Sequence, residues 1–199
     1  MESEQHSQAG LRLGRILLVA VAVTALAFFN AGADYLNDRT LQIPLFLDTI
    51  GTLVSTVLFG LLPGVVTGIG THIFLEILNG PTGAYLPWMA CSIASAVILW
   101  WLIRRHQFDT FVHALLAALW IALANALIGA VVAALLFSGN TGHAVDFVAS
   151  ALYTLGQNVF SAAFLARLPV NLVDKTIAVI VAFGAYKLRI RSVSTYRRS

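Results

Sequence analysis

Residues 110–137 read TFVHALLAALWIALANALIGAVVAALLF, a run without lysine, arginine, aspartate or glutamate. An α-helix needs roughly 20 apolar residues to cross the hydrocarbon core of a bilayer, which is about 30 Å thick. The chain contains several such runs. Of its 199 residues, 59% are hydrophobic and only 11% are charged, whereas soluble domains carry roughly 25% charged residues. The sequence therefore predicts an all-α, polytopic membrane protein.

We predict six transmembrane spans from the apolar runs and from the turn residues and charges between them. The spans cover 13–34, 45–61, 64–79, 87–103, 110–137 and 169–187. The stretch 144–166 contains Asp146, Gln157 and Asn158 and is typical of a re-entrant or outer helical segment packed on protein. The chain is then one membrane domain, with a cytoplasmic tail over 1–12, a helical bundle over 13–187 and a basic cytoplasmic tail over 188–199.

Basic residues set the predicted orientation, because cytoplasmic loops are enriched in lysine and arginine. With the N-terminus inside, the cytoplasmic side carries Arg12, Arg15, Arg104, Arg105, Lys187, Arg189, Arg191, Arg197 and Arg198. The outer side carries Arg39, Arg167 and Lys175, together with Asp34, Asp38, Asp146 and Asp174. Both termini are therefore predicted to be cytoplasmic in the cell membrane, and the positive net charge reflects topology rather than nucleic-acid binding. A seven-span alternative would place the basic tail outside.

Residues 44–52, PLFLDTIGT, place Asp48 inside an apolar run. A charge at the centre of a bilayer costs about 2.5–3.5 kcal/mol on insertion scales, so such residues usually face the interior of the bundle. We expect Asp48 and the adjacent Thr49 to line a pocket in the outer half of the membrane. The alternative is that Asp48 caps a helix near the interface.

The third predicted span carries His72, Glu76 and Asn79 on one helical face. These residues predict a polar cavity wall, although His72 and Glu76 could instead bond each other. Small residues at four-residue steps continue the same line and predict close helix packing; they are Gly60, Gly64 and Gly68.

The last predicted span opens with LPVNLVDK, residues 168–175. Pro169 suits the first turn of a helix, and Asn171, Asp174 and Lys175 then fall within one turn. Lys175 needs an anionic partner there, since a cation near a helix start is unfavourable. Asp48, Glu76 or a bound anionic ligand could supply it, and a purely structural ion pair with Asp48 or Asp174 is the alternative.

The predicted substrate-binding residues converge on the outer half of the membrane. They are Asp48, Thr49, His72, Glu76, Asn79, Tyr85, Asn125, Asn158, Asn171, Asp174 and Lys175. Asn125 could equally form an interhelical hydrogen bond, and we interpret Trp88 as an interface anchor. The sequence contains no phosphate-binding loop, HExxH or GxSxG motif or pair of metal-spaced histidines, so we expect neither catalysis nor a metal site.

Three stretches together resemble the substrate-binding membrane subunit, or S component, of energy-coupling factor transporters. They are PLFLDTIG (44–51), FGLLPGVVTGIGTHIF (59–74) and LPVNLVDKTIAVIVAF (168–183). The resemblance implies a six-helix fold that captures a vitamin or related micronutrient near the outer face. It also implies a transmembrane coupling subunit and two cytoplasmic ATPases as partners. ATP would be used by those ATPases, so this chain itself would hold no cofactor.

Such subunits use small residues on the first helix, often AxxxA, to dock on the coupling subunit. The matching stripe here is Ala20, Thr24, Ala27 and Ala31. Asn171 matches an asparagine that contacts ligand in some members. His72 departs from the asparagine that several members have, and Glu76 is an additional acid. Two other functions stay open: a membrane sensor of similar sequence, and a stand-alone transporter with His72, Glu76 and Lys175 as a proton relay.

Overall fold

The computed structural model describes residues 2–196, apart from the side chains of residues 2–9, 11 and 191–196. Arg197 and Arg198 of the predicted basic tail, and the side chain of Arg191, lie outside the described residues. The α-helices are α1 (Glu2–Leu36), α2 (Ile50–Phe59), α3 (Leu61–Asn79), α4 (Met89–Arg104), α5 (Phe111–Leu136), α6 (Asp146–Thr154) and α7 (Val159–Tyr196). A π-helical turn (Asn37–Leu41) follows α1, and a 3-10 turn (Leu86–Trp88) leads into α4. The predicted all-α fold is confirmed for this part of the chain.

Five stretches in the described residues are long and apolar enough to cross a membrane. They are Arg12–Leu41, Leu61–Asn79, Leu86–Arg104, Phe111–Leu136 and Val159–Ile190. Five of the six predicted spans therefore correspond to candidate membrane helices, as expected of a helical membrane protein. The remaining helix, α2, has only 10 residues, or about 15 Å of rise, about half the thickness of a bilayer core.

The second predicted span, 45–61, is helical only from Ile50, because residues 42–49 form an irregular segment ahead of α2. Gln42 and Leu47 have positive φ angles of 51° and 52°, which α-helices exclude. The side-chain amide of Asn37 donates to the carbonyls of Ile43 and Leu45, both at 2.8 Å, and so supplies hydrogen bonds that a helix would otherwise provide. We call residues 42–49 the entry segment.

Glycines allow α2 and α3 to pack as a tight hairpin. The turn between them is Gly60, whose φ of 102° favours glycine. A Cβ on Gly64 would lie 2.0 Å from Thr56 Oγ1, and one on Gly68 would lie 2.8 Å from Ser92 Cβ. The close approach predicted from the glycine spacing is therefore confirmed for Gly64 and Gly68.

The last predicted span, 169–187, begins too late. The helix starts at Val159, and Pro169 lies inside it rather than in its first turn. Asn158 sets the start, because its side-chain oxygen accepts the backbone N–H of Ser161 at 2.8 Å, as an N-cap does. The predicted outer segment 144–166 thus comprises the short helix α6 and the first residues of α7.

The helices surround a central α2, which contacts α1, α3, α4 and α7. The entry segment and the connections 80–88 and 137–145 meet at one end of the bundle, which we call the loop end. At the opposite end, the Tyr186 hydroxyl donates to Asp109 at 2.6 Å, which ties α7 to the connection before α5. Apolar side chains fill the interior toward that opposite end; they include Leu53, Val57, Leu99, Leu102, Phe108, Ile121 and Val179. We call this set the apolar core.

Candidate functional site

A cavity of about 130 Å³ lies at the loop end and is lined by helices and connections from the whole bundle. The lining residues are Asp34, Asp38, Phe46, Asp48, His72, Leu75, Ala84, Tyr85, Trp88, Cys91, Asn125, Gly129, Thr141, Gly142, His143, Arg167, Asn171 and Lys175. Six predicted binding residues are among them: Asp48, His72, Tyr85, Asn125, Asn171 and Lys175. The other predicted residues take part in structures around the cavity instead.

Lys175 joins α7 to the entry segment. Its ammonium group donates to Asp174 at 2.6 Å, to the Thr49 hydroxyl at 2.7 Å and to Asp48 at 3.2 Å. An ammonium group has three N–H bonds, so these partners satisfy all of them. Asp174 also accepts the backbone N–H of Leu47 at 2.9 Å. Both structural ion pairs considered for Lys175 are therefore present. Thr49 and Asp174 do not line the cavity but bind Lys175, which does.

His72 reaches the cavity from α3 and is buried. Its Nε2 lies 3.0 Å from the Ser92 hydroxyl and 3.8 Å from Asp48 Oδ2. Its Nδ1 is buried and has no hydrogen-bond partner in the described residues. His72 does not pair with Glu76, so the alternative reading of these two residues is wrong.

Glu76 and Asn79 do not line the cavity, although they share a helical face with His72. The Glu76 carboxylate accepts the backbone N–H groups of Gly83 and Tyr85 and so orders the connection 80–88. The Asn79 amide donates to the carbonyl of Leu75 at 3.0 Å. Along the polar face of α3, His72 therefore lines the cavity, while Glu76, one turn later, binds the connection 80–88.

The two lining asparagines use their amide nitrogens within the protein. Asn125 donates to the Ser95 hydroxyl at 2.8 Å and to the carbonyl of Ile121 at 3.0 Å. Asn171 donates to the carbonyl of Arg167 at 3.0 Å. Asn125 thus forms the interhelical hydrogen bond considered as an alternative and also lines the cavity. Asn158, by contrast, is exposed and caps α7.

Arg167 is the main binding candidate that the sequence did not identify. Its side chain is 1% exposed, and its Nη2 donates to Thr141 Oγ1 at 3.1 Å and to Asp146 at 3.2 Å. Its Nε and Nη1 are buried without a hydrogen-bond partner among the described residues. An arginine inside an apolar run is itself the signal for a functional site.

Trp88, which we expected at the membrane interface, lies beneath Arg167. The guanidinium carbon is 5.7 Å from the centroid of the Trp88 ring, within the range of a cation–π interaction. The ring also stacks on Phe137, with centroids 5.7 Å apart. Trp88 therefore forms part of the cavity wall.

Asp34 and Asp38 bring two further carboxylates to the cavity from the end of α1. Asp34 is 7% exposed, and the described residues offer its carboxylate no hydrogen-bond donor. Asp38 lies 3.6 Å from His143 Nε2, across from the connection 137–145. The sequence placed both residues on the outer side but gave them no role. Their spacing of four residues, which puts them on one helical face, was the available signal.

The predicted docking stripe on α1 is only partly available to a partner. Ala27 and Ala31 are 2% and 0% exposed, whereas Ala20 and Thr24 are exposed. A Cβ on Gly70 of α3 would lie 3.2 Å from Ala27 Cβ, so the small side chains let α1 approach α3. Small residues favour close helix packing whether the partner is internal or external. The stripe is therefore not one continuous outer surface.

Comparisons with protein-family models, with curated proteins and with solved structures found no match for this chain. Among the described residues, no group of three His, Cys, Asp or Glu side chains is placed to hold a metal ion. The cavity wall carries one arginine, one lysine, three carboxylates and two amides among apolar side chains.

Proposed function

We propose that this protein is the substrate-capture subunit of an ATP-driven importer of the energy-coupling factor type. It binds a vitamin or related micronutrient in the loop-end cavity, in the outer half of the membrane. The observation that carries the proposal is the convergence of buried charged and amide side chains on one cavity at one end of an otherwise apolar bundle. Pockets with apolar walls and a few placed polar groups are typical of small-molecule sites.

The apolar core supports capture over stand-alone, proton-coupled transport. It fills the bundle between the cavity and the opposite end with side chains such as Leu53, Ile121 and Val179. Proton relays use ionisable groups along the route through the membrane. The relay candidates His72, Glu76 and Lys175 all lie at the loop end, and Lys175 is fully occupied by its partners. Release of the solute to the other side then depends on partner subunits.

In the membrane, the proposed arrangement has six crossings and both termini in the cytoplasm. The entry segment and α2 together make the crossing for which α2 alone is too short. Arg104, Arg105 and Lys187 lie at the end opposite the cavity, and the positive-inside preference makes that end cytoplasmic. The loop end then faces outward, where an extracellular solute arrives.

The partners are the coupling subunit, which shares the membrane, and two cytoplasmic ATPases, which use the ATP. This part of the proposal rests on the resemblance of residues 44–51, 59–74 and 168–183 to S components. The coupling subunit contacts the amino-terminal part of α1, where Ala20 and Thr24 are exposed beside exposed leucines such as Leu17.

Native mass spectrometry tests the capture function. The full chain is purified gently in mild detergent from cells grown in rich medium. We expect a discrete small-molecule adduct that is lost in Asn171→Ala, because Asn171 lines the cavity. A clean apo mass, unchanged after incubation with a panel of vitamins, would refute capture. Uptake that this protein alone supports along a pH gradient, without coupling subunit or ATPases, would favour the proton-coupled alternative.

A further inference from the structure

The polar groups of the cavity differ in whether the protein already satisfies them. Lys175 has three acceptors for its three N–H bonds, and Asp48 accepts from both Lys175 and Thr49, the latter at 2.6 Å. These groups hold the entry segment on α7 and leave Lys175 no donor for a ligand, whereas Asp48 keeps Oδ2, which accepts no hydrogen bond from the described residues. Two other lining residues, Arg167 and Asp34, are buried with capacity unused.

Arg167 presents unused hydrogen-bond donors. Its Nη2 is engaged by Thr141 and Asp146, while its buried Nε and Nη1 have no acceptor in the described part of the chain. Buried donors are almost always paired in native proteins. A guanidinium group pairs best with a planar acceptor such as a carboxylate, which it can bind through two parallel hydrogen bonds. An anionic group of a bound solute that reaches these covered nitrogens beside the Trp88 ring would satisfy them.

Asp34 has unused hydrogen-bond acceptors, whereas Arg167 has unused donors. Asp34 is buried, with an exposure of 7%, and its carboxylate receives no hydrogen bond from the described residues. The same cavity wall carries two further carboxylates, those of Asp38 and Asp48. Lys175 is already shared between two carboxylates. A buried carboxylate among other carboxylates is stabilised by a cation that also donates hydrogen bonds.

We propose that the captured solute is a small zwitterion, with a carboxylate that binds Arg167 and a protonated amine that binds Asp34. This inference rests on the proposed capture function and names the class of its substrate. Trp88, Tyr85 and Phe46 form the apolar wall against which the body of the solute packs. The amide oxygens of Asn125 and Asn171, which make no hydrogen bond within the described structure, offer further acceptors to the amine.

The test uses the full chain in lipid nanodiscs, incubated with a filtrate of rich growth medium. Solutes retained after washing are identified by mass spectrometry, before and after methyl esterification of carboxylates and dansylation of amines. We expect a retained solute that reacts with both reagents. Asp34→Asn and the double variant Arg167→Gln/Asp146→Asn should each weaken its binding by about 10- to 100-fold, the loss expected for one charge-assisted hydrogen bond. The double variant avoids leaving Asp146 buried without its cation.

Matched controls make the same chemical changes away from the cavity. Asp109→Asn and Arg104→Gln, both at the opposite end, should retain the solute as the parent does. Combining a change in the solute with a change in the protein tests whether the amine binds Asp34. Acetylating the amine should weaken binding to the parent, but it should not further weaken binding to Asp34→Asn.

The outcomes separate the two proposals. A retained solute that lacks an amine or a carboxylate, or that binds the two cavity variants as tightly as the parent, overturns the zwitterion inference and leaves capture standing. If the parent retains no solute at all, the capture function fails, and the inference fails with it.

Discussion

Lys175 and Arg167 are both buried cations on α7, about two turns apart, yet they have different roles. Lys175 has an acceptor for each of its N–H bonds, and those acceptors come from α7 itself and from the entry segment. Among the described residues, Arg167 is bonded through one nitrogen only, and its other two have no acceptor. Burial is the same for both, at 1% exposure. The count of satisfied donors therefore separates a structural cation from one that is available to a ligand.

The largest effect is expected from Lys175→Met. The change leaves Asp48 and Asp174 buried without their shared cation, and removing one partner of a buried ion pair costs about 3–5 kcal/mol. The free energy of unfolding, measured in mixed micelles of increasing SDS content, should fall by about that amount.

A triple variant provides the control for Lys175→Met. Adding Asp48→Asn and Asp174→Asn removes the uncompensated charges and should recover part of the lost stability. If Lys175→Met alone is as stable as the parent, the cluster does not hold the entry segment.

Arg167→Lys should weaken solute binding more than it lowers stability, the reverse of what is expected for Lys175→Met. Lysine keeps a positive charge beside Asp146 but lacks the planar fork of the guanidinium group. We expect the free energy of unfolding to fall by less than about 2 kcal/mol, while binding of the retained solute weakens roughly 10- to 100-fold. A stability loss as large as that of Lys175→Met, with unchanged binding, would make Arg167 a second structural cation.

The role of Lys175 was easier to predict from the sequence than the role of Arg167, for a physical reason. Asp48 and the run Asn171–Lys175 stand out locally, since each is a polar interruption of an apolar run. The role of Arg167 depends on Thr141, Asp146 and Trp88, which are distant in sequence and meet only after α4, α5 and α7 pack. Counting its unused donors requires coordinates.

The membrane helices were predictable and the breaks in them were not. Length and hydropathy identified five of the spans, because burial in lipid depends on composition over about 20 residues. Hydropathy does not distinguish a helix from an extended apolar segment, so residues 45–49 of the entry segment were taken as helical. Pro169 was placed at a helix start by a preference that holds for most helices, yet α7 continues through it.

A smaller effect is expected from the threonines that serve the two cations. Thr49→Val removes one acceptor of Lys175 and should lower the free energy of unfolding by about 1–3 kcal/mol, the cost of leaving a buried donor unpaired. Solute binding should stay within about twofold of the parent, less than half a kcal/mol. The matched change Thr141→Val loosens Arg167, so it should weaken solute binding more than Thr49→Val does. Equal effects of the two variants on binding would remove the distinction between the cations.

The smallest effect is expected from Asn158→Ala. The sequence grouped Asn158 with the binding residues because it is polar and lies near the outer ends of the helices, but the structure gives it an exposed N-cap with no contact to the cavity. Losing the cap should cost about 0.5–1 kcal/mol of stability and leave solute binding unchanged. Reduced binding, measured in nanodiscs beside Asn171→Ala, would mean that the start of α7 positions Arg167, whose partners Thr141 and Asp146 lie in the connection 137–145 and at the start of α6. In that case the position of the Arg167 side chain would depend on the N-cap of α7 as well as on the residues that contact Arg167.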